Sequence, residues 1–480
     1  MNAWLRRIPR MALTCAAIAC LNAVSWSLVT PPFEVPDEQD HFAYVKQLAE
    51  TGRLPSSSAE ELSKEESTAL NALDAETLRL RPQIHTLQTQ GEQAALERAL
   101  ASDAHESGSP DAGVAASEPP LYYALEAIPY SLASSGSVLD RVFLMRLFSA
   151  LLAGFTALFA YLFVREALPA APWAWSVGGL SIALAPLLAF MSGAVNPDAL
   201  LAAASAALFY CLARAFRRGL STRNAAAIGA VTAIGFASKL NFIGLAPGVF
   251  LGLLILSVRQ ARASGFAACG RLALAGALAL SPVALYALFN VLSGHPVLGM
   301  VSQASSASSI LAKLNYVWQL YLPALPGTAN DFPGVFTARE IWFHQYVGLY
   351  GWLDTPLPDW VDNLALVPAI LIAALCARSL YRSRAALRRR ALELATYATM
   401  ALGLMTLIGL ASYKRFPAAE AEFGQVRYLL PLLALLGAAL VLAARGAGRR
   451  WGPAVGATIV VLFIAHDIFS QLQVIARYYG

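Results

Sequence analysis

Long apolar runs recur along almost the whole chain, near 11–30, 141–166, 173–193, 199–216, 224–241, 243–259, 271–292, 364–381, 391–412, 428–444 and 452–470. Each is close to the roughly 20 helical residues that cross a hydrocarbon core about 30 Å thick. No water is available at that depth to satisfy backbone N–H and C=O groups, so such runs must be helices packed side by side. A mean hydropathy of +0.55 with only 14% charged residues excludes an ordinary soluble domain. The expectation is an all-α polytopic membrane protein, with residues 1–480 forming one integral domain of about eleven transmembrane helices.

The basic residues orient it. Arg6, Arg7 and Arg10 precede the first run, and alternate loops are Arg-rich: Arg165; Arg214, Arg217, Arg218 and Arg223; Arg259, Arg262 and Arg271; Arg378 through Arg390; Arg445, Arg449 and Arg450. In all, 20 of the 35 Lys and Arg fall on this side in short loops, which predicts a cytoplasmic N-terminus. An odd number of spans then leaves the C-terminus outside, in a cell inner (plasma) membrane. The first run continues to Thr30 without an A-x-A cleavage site and reads as an anchor. The five cysteines (Cys15, Cys20, Cys211, Cys269, Cys376) lie in or beside apolar runs with no metal-ligand spacing, so they read as packing residues. The net charge of +5 is accounted for by the cytoplasmic arginines, and nothing resembles a nucleic-acid platform.

Two external segments stand out. Residues 31–140 hold 19 acids against 6 bases and form a net-acidic loop. Within it, Glu60–Leu80 and Gln90–Ala104 read as amphipathic helices with solvated acids, and Glu106–Ser117 as a flexible link. Residues 293–363 form the second external element, a Ser-rich run at Ser302–Ser309 followed by an aromatic-rich stretch from Tyr316 to Trp360. Its aromatics are either interface anchors or sugar-stacking platforms. His344, Tyr350, Trp352 and Asp354 are candidates there for donor or acceptor contact.

Chemistry concentrates at the outer ends of the spans. Pro31-Pro-Phe-Glu-Val-Pro-Asp-Glu-Gln-Asp-His41 follows the first run directly, so Asp37, Glu38 and His41 sit at the bilayer edge. Ionised carboxylates are expensive there, which makes Asp37 and Glu38 the first catalytic candidates. The bland alternative is a helix start with acids in its first turn. Glu118-Pro-Pro-Leu-Tyr-Tyr123 brings an acid and Tyr123 to the same interface. Asp198 opens a span, where a carboxylate also serves as a helix cap. Lys239 and Arg427 lie at outer span ends, against the inside bias for positive charge. Cations kept there either snorkel or answer a specific anion, and the obvious outer-leaflet anion is the phosphate of a polyprenyl carrier. No cofactor is assigned; Asp37, Glu38, Asp40 and His41 as a site for a divalent metal is the competing use of the cluster.

These motifs carry a resemblance. The Pro-Asp-Glu-x-x-His block after Pro-Pro-Phe, Glu-Pro-Pro-Leu-Tyr-Tyr, Trp342-Phe-His-Gln-Tyr-Val-Gly-Leu-Tyr-Gly-Trp-Leu-Asp354 and Gln425-Val-Arg-Tyr-Leu-Leu-Pro431 look like the DUF2142 membrane family. That family is similar to GT-C glycosyltransferases, the superfold of protein O-mannosyltransferases and the lipid A aminoarabinose transferase. The resemblance implies a GT-C-like bundle, a polyprenyl-phosphate sugar donor, and an envelope glycan, lipid or protein as acceptor. It implies a site between the first external loop and the membrane. Asp37 and Glu38 match the acidic pair of the mannosyltransferases, Asp198 the acid opening an early span in the aminoarabinose transferases, and Lys239 and Arg427 the cations on the lipid phosphate. Related families often write His-Pro-Pro where this chain has Glu118-Pro-Pro.

The chemistry also follows from the residues. Phosphate is a weakly basic leaving group, so one base suffices and the paired acid and base of a hydrolase are not required. Asp37 would take the proton of an acceptor hydroxyl attacking the anomeric carbon from the opposite face, inverting its configuration, with Lys239 and Arg427 on the departing phosphate. A transporter or flippase of a lipid-linked glycan is the alternative from another class. Its polar groups would gather near the bilayer midplane, in paired halves. A glycan polymerase or ligase would differ mainly in donor size.

Overall fold

The computed structural model describes residues 8–55, 62–79, 81, 83–85, 90–102, 112–264, 266–294, 297, 309–332, 338–415 and 424–480. Among them, nine helices are long and apolar enough to cross a membrane. The pair Pro172–Ala183 and Pro186–Ser192, bent by 49°, makes a tenth when counted as one span. The expected span at 224–241 is the helix Thr222–Ser238, and its 17 residues rise only about 26 Å. That is the short end of what crosses a bilayer, so the described residues carry nine or ten candidate spans beside this helix, against the expected eleven or so. The chain is nonetheless an all-helical bundle, whose one described sheet is the two-residue pairing of Leu349–Tyr350 with Thr355–Pro356.

Six helices frame the region of interest: α1 (Arg10–Val29), α2 (Glu38–Thr51), α3 (Leu121–Leu132), α4 (Val138–Ala167), α5 (Asp198–Arg218) and α6 (Gly448–Tyr479). Ala12, Cys15, Ala19, Ala23 and Trp26 of α1 recur every three or four residues and are buried, while Leu13, Leu21 and Leu28 point away from the bundle. Small residues let the helices approach closely. A Cβ on Gly154 of α4 would meet the Ala16 carbonyl of α1 at 3.0 Å, and one on Gly178 would meet the Gly437 carbonyl at 2.8 Å.

The two ends of the bundle differ in charge, as the Arg-rich loops predict. At one end Arg217 and Arg218 pair with Glu166, and Arg390 bonds the Ala167 carbonyl and Glu393. At the other lies the acidic loop, and α6 finishes there: Arg477 donates to the Leu78 and Ile84 carbonyls at 2.6 and 2.5 Å.

That loop is a packed structure: Asp74, Glu76 and Glu97 keep the expected solvated face, whereas Glu65 and Glu66 are buried. Phe33, Phe42, Tyr44, Tyr122, Tyr123 and Tyr130 close an apolar cluster with Val142 and Met145 of α4. Of the two expected loop helices, the first is the segments Lys64–Ala72 and Ala75–Leu78, broken at Asp74 with φ 53°. Ser63 and Glu66 cap it with a capping box. The second is Gln90–Ser102. Glu65 is buried between Lys46, at 2.9 Å, and Arg141. Half of the expected link, 106–111, lies outside the described residues, and the other half is largely the 3-10 turn Gly113–Ser117; the Ser-rich run also lies outside them apart from Ser309, which caps the helix Ile310–Gln319.

One ion pair nails the loop to the bundle. Arg146 of α4 and Glu38 of α2 are both fully buried and meet in a fork, Nε to Oε1 at 2.7 Å and an Nη to Oε2 at 2.5 Å. The remaining guanidinium donors reach the carbonyls of Ser27, Thr30 and Pro31 at 3.0, 2.8 and 2.9 Å. Glu38 also accepts from the backbone N–H of Val195 at 2.9 Å and of Phe33 at 2.8 Å. A charge pair so deeply desolvated is tolerated only with its hydrogen bonds filled, and removing one partner leaves the other uncompensated. Glu38→Ala should therefore cost about 3–5 kcal/mol. We expect a clear drop in the melting midpoint in detergent against a Leu21→Ala control; an unchanged midpoint would show that the pair is dispensable.

Candidate active site

The turn that carries Asp37 is held in an uncommon shape. Phe33 and Asp37 have φ of 67° and 66°, a left-handed conformation that costs an L-residue roughly 1–2 kcal/mol. The surroundings over-determine it. The Pro36 carbonyl accepts from Asn196 and Arg427, both at 3.4 Å. The Phe33 carbonyl accepts from Arg79 at 3.2 Å and from the Trp352 indole at 3.0 Å. Asp37 is the residue before α2, so the helix-start reading and the site reading meet in one residue.

The Asp37 side chain keeps 24% of its surface open and takes a 2.6 Å bond from Arg427. Burial alone would raise its carboxyl, but the Arg427 guanidinium, with the His41 imidazole and the Lys239 ammonium near it, holds it below the usual value. Arg427 is buried, and its Nε has no hydrogen-bond partner. Lys239 spends one donor on Asp198 Oδ1 at 2.8 Å, and the other Asp198 oxygen is buried without a partner. Burial would depress the Lys239 ammonium, yet the carboxylates of Asp198 and Glu118 keep it above its ordinary value. Glu118 accepts from the Leu240 N–H at 3.1 Å. Its carboxyl is raised by burial against the opposing pull of Lys239. His41, one turn beyond Asp37, shares a 3.0 Å hydrogen bond with the Tyr123 hydroxyl. Tyr123 in turn stacks on Tyr44 with ring centroids 3.7 Å apart.

Of the residues singled out in the sequence, Asp37, His41, Glu118, Tyr123, Asp198, Lys239 and Arg427 thus form one electrostatically coupled group where α2, α3 and α5 meet. Two cations and three carboxylates lie under the loop with incomplete hydrogen bonding. Buried charges with unfilled hydrogen-bonding capacity make this group the candidate site.

The others lie elsewhere. Glu38 is the anchor of α2. Tyr350 is in the bundle core, bonded to Ser470 at 2.9 Å and packed on Trp26. Asp354 pairs with Arg477 at 3.4 Å, and Trp352 lies under Arg79, 4.1 Å from guanidinium carbon to ring centroid. Trp352 and Arg79 brace the Asp37 turn through the Phe33 carbonyl from outside the group. His344 bonds Asp362.

The four residues of the metal alternative turn to four different partners: Asp37 to Arg427, Glu38 to Arg146, Asp40 to the Val114 N–H at 3.1 Å, and His41 to Tyr123. Among the described residues no three His, Cys, Asp or Glu side chains are grouped to hold a metal ion.

Sequence reasoning passed over Arg146, Arg141 and Gln345. Arg146 had a signal, a cation inside an apolar run. Gln345 had none: its amide accepts from the Val426 N–H and donates to the Gly424 carbonyl, both at 2.9 Å, which sets the backbone beside Arg427.

Burial of His41 and its cationic neighbour Lys239 push the imidazole from 6.5 down to about 3. Below pH 6.5 the unfolded chain takes a proton that the folded one refuses until about pH 3. This contribution to stability is complete above pH 6.5 and is lost as the pH falls through that window. His41→Phe should therefore lose less of its melting midpoint between pH 7 and pH 5 than the wild type; parallel losses would place the imidazole in water.

The profile of the predicted membrane protein family DUF2142 matches residues 20–436. A comparison with curated proteins returns no match. Among solved structures, the chain is similar to the Archaeoglobus fulgidus oligosaccharyltransferase tethered with an acceptor peptide containing the NVT sequon. Identity is 13% and the TM-score 0.48, over 100% of this chain and 56% of that one. It is also similar to the archaeal oligosaccharyltransferase AglB from the same organism in complex with an inhibitory peptide and a dolichol-phosphate, at 13% identity and a TM-score of 0.46, over 98% and 56%. The chain thus spans little more than half the length of these structures. With the profile covering most of its length, from the first span to the segment that carries Arg427, the chain belongs to the DUF2142 family of membrane proteins.

Proposed function

We propose that this protein is a GT-C type membrane glycosyltransferase that moves a sugar from a polyprenyl-phosphate donor to an acceptor hydroxyl at the outer face of the membrane. The observation that carries the reading is the Asp37–Arg427 pair: a partly open carboxylate on a rigid left-handed turn, bonded to a buried guanidinium with Lys239 close by.

The donor phosphate takes the unfilled bonding capacity of Arg427 and Lys239. As it does so it competes with Asp37 for the guanidinium, and a carboxylate released from an ion pair is a stronger base. Donor binding thereby readies Asp37. The acceptor oxygen forms its bond to the anomeric carbon while the bond from that carbon to the phosphate oxygen breaks. The hydroxyl proton passes to Asp37, and the electron pair leaves with the phosphate, whose added charge the two cations stabilise. Glu118, Tyr123 and Asp198 border the space for sugar hydroxyls. His41, neutral at ordinary pH, orients that edge. Glu38 acts only through the backbone it holds.

The test uses purified protein with polyprenyl-phosphate monosaccharides and envelope acceptors. Wild type should give a product of inverted anomeric configuration. Asp37→Asn should lower turnover by about 10²–10⁴-fold with donor binding retained. Full turnover in Asp37→Asn would remove it as base, and vesicle uptake of the lipid-linked sugar without covalent product would favour a transporter. Arg427→Ala should instead weaken donor binding and flatten its dependence on the phosphate; equal binding of donor by wild type and variant would separate Arg427 from that role.

A further inference from the structure

The helix Ile310–Gln319 of the second external element is too short to cross a bilayer, and its charge pattern is unlike that of the acidic loop. Its one charge is Lys313 in the first turn, and residues 314–330 carry none. Ile310, Leu311, Leu314 and Trp318 share a face of the helix and are exposed, the first two by 78% and 76%. Leu322 and Leu325, in the turn that follows, are exposed as well. Large apolar side chains so concentrated on an outer surface mark an interaction face.

The opposite face fixes how deep the helix lies. Tyr316 packs edge-on against Tyr413, the last residue of the candidate span Ala391–Tyr413, with ring centroids 5.2 Å apart. A Cβ on Gly409 would meet the Val317 side chain at 2.9 Å, and the Tyr321 hydroxyl donates to the Met405 carbonyl at 2.9 Å. Gly409 and Met405 stand about 6 and 12 Å inside the end of that span, at 1.5 Å per residue. The helix therefore runs down the span, antiparallel to it, which puts the turn after Tyr321 at its inner end. Leu402 and Leu410 of the same span are also exposed, so the apolar face of the helix continues the outward surface of the span.

The chain beyond Tyr321 is irregular, and irregular chain is expensive in hydrocarbon unless its polar groups find partners. Side chains of the helix and the turn supply them. Asn315 and Gln319 donate to the Ala329 carbonyl at 2.9 and 2.7 Å, and Gln319 accepts from the Asp331 N–H at 3.0 Å. The Trp318 indole donates to the Pro323 carbonyl at 2.9 Å, and the Thr328 hydroxyl to the Leu325 carbonyl at 2.8 Å. Pro323 and Pro326 have no N–H to satisfy.

We propose that residues 310–332 form a re-entrant hairpin seated in the leaflet on the side of the Asp37 group, with lipid acyl chains covering its apolar face. Lys313 at the mouth reaches the headgroups, and Trp318 is an anchor in lipid, not a platform for sugar. The hairpin also bears on the site: the Trp342 indole donates to the Leu320 carbonyl at 2.7 Å, three residues before the Gln345 that sets the backbone beside Arg427.

The test uses the wild-type chain in lipid nanodiscs doped with phosphatidylcholine that carries a diazirine either near the glycerol or toward the methyl end of one acyl chain. The shallow probe should label 310–314 and the deep probe 322–326, each with a yield comparable to that on residues 285–292 of the candidate span Cys269–Leu292. Hydroxyl radicals generated in the water should leave Trp318 unoxidised. Oxidation of Trp318 without lipid label would place the face in water. Protection of Trp318 without lipid label would give the face to a second copy of the chain or another protein, and equal labelling of the whole stretch by both probes would make the helix lie flat on the surface. Each of these three results overturns the proposal. No transfer activity enters the readout, so its outcome is separate from that of the glycosyltransferase test.

Discussion

The buried fork between Glu38 and Arg146 is the interaction on which the rest of the site depends. It joins the first residue of α2 to the second span, and its spare donors and acceptors collect the carbonyls that end α1 and the N–H groups of Phe33 and Val195. Three chain segments far apart in sequence are thereby brought to one point. A pair of hydrophobic residues of similar size would pack as well but would bond none of those backbone groups. The pair is thus better understood as specifying geometry than as adding stability.

From that point the shape of the reactive turn follows. Glu38 is fixed below and the Pro36 carbonyl is held from two sides, so Asp37 has little choice but the left-handed conformation, and its carboxylate faces Arg427. The cations and carboxylates nearby are unevenly matched. Asp198 and Lys239 satisfy each other on one side only, and Arg427 keeps a donor in hand. A folded interior rarely tolerates such gaps without a ligand to fill them. The proposed function draws on this unevenness, which leaves Arg427 and Asp198 with unfilled hydrogen-bonding capacity.

Much of this was legible in the residues. Apolar run length and arginine placement were enough for a helical bundle with unlike ends, because backbone hydrogen bonding in hydrocarbon admits few alternatives. Asp37, Asp198, Lys239 and Arg427 could be found one at a time as charges on the wrong side or at the wrong depth. Their convergence was not readable, since it depends on how four span ends pack. The partner of Glu38 was not readable for a related reason: an acid beside hydrocarbon signals that it has a partner, and sequence does not say whether the partner is a ligand or Arg146. The buried acids of the loop escaped notice because Lys46 and Arg141, which neutralise Glu65, are 19 and 76 residues away from it. The helix Thr222–Ser238 is shorter at its end than the apolar run 224–241 suggests, because apolar character alone does not mark where Lys239 ends it.

The last helix closes over the first loop. Tyr478 donates to Glu34 across 444 residues at 3.3 Å, and Arg477 secures the carbonyls of Leu78 and Ile84. A ribosome adding about 5–20 residues per second delivers that clasp roughly 20–90 s after Glu34 has left the exit tunnel. For that interval the loop is unlatched, and the turn at Asp37 lacks part of its bracing. A chain stalled before α6 would therefore carry the first loop without the clasp that Arg477 and Tyr478 supply.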